Sequence, residues 1–138
     1  MTAEGKKPTC GPLFYEAMKL ALMSTENAEE LFSYGHIVGQ AEKVWLGACP
    51  AAMFRPTEHE EANFISRLTG ICNIYKLDSI TLHTSRGHEY WMFRGESRSD
   101  IELLREKKED TGAWHQLRGL LCGVRSQDID FIFHERYE

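Results

Sequence analysis

Apolar residues recur along this chain at helical spacing, broken by short capping segments. Leu13, Phe14, Ala17, Met18, Ala21 and Leu22 follow Pro12, which suits the first position of a helix. Ser24-Thr25-Glu26-Asn27 interrupts the pattern with residues that cap helix N-termini. A second stripe follows, Ala28, Leu31, Phe32, Val38, Ala41, Val44 and Trp45, with Gly47 and Pro50 as stop signals. Gly35 and Gly39 inside it each cost about 1 kcal/mol relative to Ala; they permit a kink or a close helix contact, and their spacing favours the second. These two helices are expected to form an antiparallel hairpin. Thr57 and Glu60 then compose a capping box for a third helix. Its apolar face is read as Ala62, Ile65, Leu68 and Cys72, and its end falls at Gly70 or as late as Tyr75.

One stretch alternates instead. Ser79–Thr84 and Glu89–Arg94 flank Ser85-Arg86-Gly87-His88, the signature of a β-hairpin. With Arg86-Gly87 as a two-residue turn, His83 faces Tyr90, and Ile80, Leu82, Trp91 and Phe93 share a core face. His83, Arg86, His88 and Tyr90 then make a polar patch on the opposite face, suited to a small anion or a protein contact. With Ser85-Arg86-Gly87 as a three-residue turn, the two histidines point to opposite faces. Two histidines with no carboxylate or cysteine beside them make a poor metal site, so no metal is expected there.

Ser97 to Asp100 caps a short charged helix through Lys108. Another begins at Asp110 or Thr111 and ends at Gly123, and a last one follows Ser126-Gln127-Asp128. The sum is an α+β fold, a mostly helical single domain over residues 10–138 behind a flexible tail at 1–9. It has about six helices and one antiparallel β-hairpin. Its C-terminal pair, 112–137, resembles a helix–turn–helix through Gly119, Gly123, Val124, Ile129 and Ile132. That resemblance implies nucleic-acid recognition through Arg125, Ser126, Gln127, Phe131 and His134. Charge opposes it, because Asp128, Asp130, Glu135 and Glu138 stand against Arg136 alone, and DNA affinity rests on neutralising phosphate.

Composition narrows the field further. The 138 residues carry a net charge of −5, with 42% hydrophobic and 27% charged positions. Collagen-like, low-complexity and wholly disordered chains are excluded, and a general binder of nucleic acid or acidic membranes is disfavoured. No basic start leads into an apolar run, as a secretory signal requires. The most apolar stretch, Leu13 to Met23, is too short to span a bilayer. Cys10, Cys49, Cys72 and Cys122 form no C-x-x-C pair and read as free, mostly buried thiols. A cytoplasmic location is expected.

Glu26-x-x-Glu29 and Glu58-x-x-Glu61 each place two carboxylates on one helix face, an arrangement that holds Mg²⁺ beside a phosphate. This is similar to the acidic signature of the all-α nucleoside-triphosphate pyrophosphatases, although that family usually has Asp where this chain has Glu61. The resemblance implies a Mg²⁺-dependent hydrolase with Glu26, Glu29, Glu58 and Glu61 as ligands. The leading expectation is different: a binding or regulatory module, not an enzyme, with no cofactor, acting through protein contacts and self-association. Three Trp, seven Phe and five Tyr exceed what one small core absorbs.

Overall fold

The structure, a computed structural model, describes residues 11–123. The expected N-terminal tail and the last expected helix lie outside the described residues.

Helix α1 (Pro12–Ser24) begins at its proline as the pattern requires. Asn27 caps α2 (Ala28–Leu46), its side chain accepting the Glu30 N–H at 2.9 Å. Gly47, in the left-handed region at φ +83°, closes that helix with its N–H on the Lys43 and Val44 carbonyls. Of the Gly35–Gly39 pair, only Gly35 faces a neighbouring helix, where a Cβ would stand 3.9 Å from Met18 Cε of α1. A Cβ on Gly39 would meet nothing within 4 Å, whereas one on Gly70 would stand 3.4 Å from Leu20 Cδ2. Helix α3 (Glu61–Tyr75) continues through Gly70, which packs against Leu20 of α1.

The start and the inward face of α3 both differ from expectation. Glu60 Oε1 accepts hydrogen bonds from the Thr57 N–H (3.3 Å) and hydroxyl (2.9 Å), which closes a turn ahead of the helix. The buried residues are Phe64, Leu68, Ile71, Cys72 and Tyr75, while Ala62 and Ile65 face outward. The helix is rotated because Phe64 packs between Phe54 and Tyr90, with ring centres 5.4 and 5.3 Å away.

Those two rings belong to a sheet larger than the expected hairpin. Strand β1 (Ala51–Phe54) joins β2 (Asp78–Thr84) and β3 (Gly87–Phe93) in an antiparallel sheet of order β1-β3-β2. The turn residues are Ser85-Arg86, so His83 pairs with His88 and Leu82 with Glu89. Neither expected register holds. The observed one is displaced from the first by two residues on β3, and only an odd displacement swaps faces. Ile80, Leu82, Trp91 and Phe93 therefore share a core face as expected.

The other face is not an open polar surface, because Tyr90 and Met92 are 4% and 0% exposed. They pack with Ala52 and Phe54 against α1, α2 and α3. The opposite face, with Ala51, Trp91 and Phe93, is covered by α4 (Arg98–Glu106), which follows a single 3₁₀ turn, and by α5 (Gly112–Leu121). The described residues thus form an α+β fold of five α-helices in two layers about a three-stranded antiparallel sheet. Among them, no helix is long and apolar enough to cross a membrane.

Candidate functional site

Two polar constellations sit on β3, one on each face of the sheet. On the first face, the hairpin register sets His83 directly across from His88, their rings edge to face with centres 4.6 Å apart. Tyr90 follows, its ring centre 6.5 Å from that of His88. Helix α3 then delivers Glu61, whose Oε2 stands 3.6 Å from His88 Nδ1. Burial pushes the Tyr90 hydroxyl above its usual pKa, and the charge of Glu61 together with its hydrogen bond adds to the rise. Glu61 therefore sits between Tyr90 and His88. Arg86 does not join them: it lies in the turn, 4.0 Å from Asp110 Oδ1, with its side chain 63% exposed. The expected patch thus keeps its histidines and tyrosine, exchanges Arg86 for a carboxylate, and reaches solvent only at the hairpin end.

On the second face stands Glu89, fully buried at 0% exposure. Arg55 Nε donates to its Oε2 at 3.0 Å and Arg55 Nη2 donates to the same oxygen. Its Oε1 accepts from Arg118 Nη1, and from Trp91 Nε1 at 3.3 Å. The Arg118 guanidinium also lies over Trp114 at 4.3 Å and Trp91 at 5.6 Å. Burial pushes the Glu89 carboxyl up. The hydrogen bonds and charges of Arg118 and Arg55 outweigh it, and the net pKa lies below the ordinary value. Both carboxylate oxygens are occupied, so the group ties β1, β3 and α5 together. A narrow cleft of about 100 Å³ beside it is lined by Leu82, Thr84 and Trp114.

Neither Glu61 as a histidine partner nor the Glu89 cluster was identified from sequence. For Glu89 the signal existed: in strict alternation it shares a face with Trp91 and Phe93, and a carboxylate among core residues requires cationic partners. For Glu61 no local signal existed, since α3 alone brings it to the hairpin.

The four carboxylates of the Mg²⁺ reading are not gathered as a metal site among the described residues. Glu61 faces His88, and Glu26 offers its backbone N–H to Glu30 Oε1 at 2.8 Å. Glu29 lines a shallow cleft between α2 and α3, and Glu58 is exposed. Bridging between these helices falls to other carboxylates: Glu60 accepts from Ser33 at 3.2 Å, and Glu30 lies 3.9 Å from Arg67. Among the described residues, no three His, Cys, Asp or Glu side chains come together as a metal site. The sheet also departs from an all-α architecture.

Helix α5 and its left-handed Gly123 (φ +88°) match the first half of the helix–turn–helix spacing. Arg125, Ser126, Gln127, Phe131 and His134 lie outside the described residues. Cys49, Cys72 and Cys122 are free, and of these only Cys72 is buried, Cys49 being partly covered and Cys122 exposed. No family model, curated protein or solved structure matches the chain.

Proposed function

We propose that this protein is a binding module that works through protein contacts, in the first place with a second copy of itself. The observation that carries the reading is the apolar end of the α1–α2 hairpin. Leu22 and Met23, in the last turn of α1, are 58% and 77% exposed, and Phe32, near the start of α2, is 82% exposed. The short link Thr25–Asn27 holds these segments at one end of the hairpin. Three large exposed apolar side chains at the two helix ends joined by one short link are what a contact surface would use.

The core supports the same conclusion. Trp91, Trp114, Phe54, Phe64, Phe93, Tyr34, Tyr75 and Tyr90 are absorbed inside, so Phe32 is surplus to it.

Sedimentation equilibrium across a wide range of concentrations tests the proposal. A dimer that dissociates in the Leu22→Glu/Phe32→Glu double variant, with its helical circular dichroism unchanged, is the expected result. A wild-type chain that stays monomeric throughout would overturn it.

A further inference from the structure

The expectation that the hairpin histidines make a poor metal site rested on their having no carboxylate beside them, and the fold supplies one. We propose that His83 and His88 chelate a divalent transition cation of the zinc type, with Glu61 orienting His88 from behind.

Three geometric facts support this site. His83 and His88 are a direct cross-strand pair on adjacent antiparallel strands, so their side chains rise from the sheet side by side. Two imidazoles bound to one tetrahedral ion, with metal–nitrogen bonds of 2.0–2.1 Å, hold their ring centres about 5 Å apart. Here the centres are 4.6 Å apart with the ring planes at 89°, so the spacing suits one shared ion once each ring turns a nitrogen toward it. Glu61 Oε2 stands 3.6 Å from Nδ1 of His88, just beyond hydrogen-bond distance, so a slight approach of the two side chains would leave Nε2 as the metal-binding nitrogen. The pair would then form the carboxylate–histidine–metal arrangement that orients the ring and raises its basicity.

Chemistry selects the cation. Nitrogen donors suit Zn²⁺, Ni²⁺ and Cu²⁺, whereas Mg²⁺ and Ca²⁺ take oxygen. The His88 and Glu61 side chains are 44% and 38% exposed, so an ion reaches the pair directly from solvent. An anion at the same place would meet the Glu61 carboxylate, which disfavours the anion reading of this patch. With no third ligand among the described residues, the ion keeps positions open to water or to a donor from outside. That is the layout of an exchangeable site, not of a closed structural one.

The test is Zn²⁺ titrated into the full chain, followed by calorimetry and by the imidazole carbon-bound proton resonances. One equivalent is expected to bind, moving the His83 and His88 resonances together, while Mg²⁺ moves neither. His83→Asn and His88→Asn should each abolish that equivalent, and Glu61→Gln should weaken it about tenfold. Both histidines are exposed, so the variants should keep the wild-type Tm without metal, and only the wild type should gain Tm with Zn²⁺. Undiminished Zn²⁺ binding in the His83→Asn/His88→Asn double variant would overturn the proposal, because the ion would then sit on the thiols or on His36 and His59. Absence of any shift in the two resonances at saturating Zn²⁺ would overturn it equally. Neither outcome bears on self-association, which is read by mass.

Discussion

On one face of the sheet, Tyr90 and Met92 settle among Ile37, Val38, Leu68 and Ile71 from α2 and α3, a core of hydrocarbon and aromatic rings. On the other face, Glu89 settles between Arg55 and Arg118 under two indoles, and the apolar residues around it are fewer. The same strand feeds both. The apolar side loses stability in proportion to the volume removed, since each side chain there contributes through contact and exclusion of water. The ionic side is coupled through Glu89, since deleting that carboxylate leaves Arg118, 16% exposed, without its partner.

Replacing Glu89 is the strongest way to break this comparison. Glu89→Ala should cost about 3 kcal/mol in urea unfolding, because Arg118, 16% exposed, loses its partner in the interior while Arg55, 38% exposed, regains water. A cost below about 1 kcal/mol would place the cluster with ordinary surface ion pairs and erase the distinction. The pH dependence carries the same signature. The Glu89 carboxyl is held below its ordinary pKa, so its stabilisation is complete above the unfolded value, about 4.3, and disappears as pH falls through the lower folded value. The wild type should therefore lose stability in acid more steeply than Glu89→Ala.

Ile71→Ala, on the opposite face, should cost about 2–5 kcal/mol and leave that acid limb unchanged. Alkali should also act on this face, as it does on the Cys122 thiol at the end of α5, which burial pushes up to about 11. Burial first, with a small contribution from Asp78 and against a Ser79 hydrogen bond, pushes the Cys72 thiol up to about 11. Its contribution is complete below the unfolded thiol value, about 8.5, and is lost as pH rises toward the folded value. Cys72→Ala should flatten the alkaline limb of a stability–pH curve, and an unchanged limb would remove Cys72 as the cause.

The smallest effect should be the same on both faces. Asn27 caps α2 and Thr111 caps α5, each through its side-chain oxygen on a backbone N–H. Asn27→Ala and Thr111→Ala should each cost about 1 kcal/mol. Unequal costs would show that one helix is set mainly by packing and the other by its cap.

Helix positions were legible in the sequence wherever proline, caps and glycine punctuate them: Pro12, Asn27, Gly47, Thr111 and Gly123 all sit where the pattern puts them. Strand β1 was not. Ala51-Ala-Met-Phe54 is short and half alanine, a weak strand former, and it becomes a strand because β3 presents a free edge to it. The clue lay in its partner: Tyr90 and Met92 are too apolar for the solvent face of a hairpin, and a strand apolar on both faces is a central one. The rotation of α3 depends on the same strand, since Phe54 of β1 draws Phe64 inward. Of the site, the histidines and Tyr90 could be named from sequence. Their carboxylate could not, since the expected face of α3 turned other residues inward.

The strand order β1-β3-β2 has a consequence for how the molecule assembles. The central strand is the last of the three along the chain, so β1 has no hydrogen-bonding partner until residues 87–93 are in place. The β2–β3 ribbon closes locally, on a scale of about 1–10 μs for a hairpin, whereas β1 must be gathered in across the whole of α3, at the entropic expense of a long loop. The topology therefore favours an order opposite to that of synthesis, in which the local ribbon forms before β1 pairs with it.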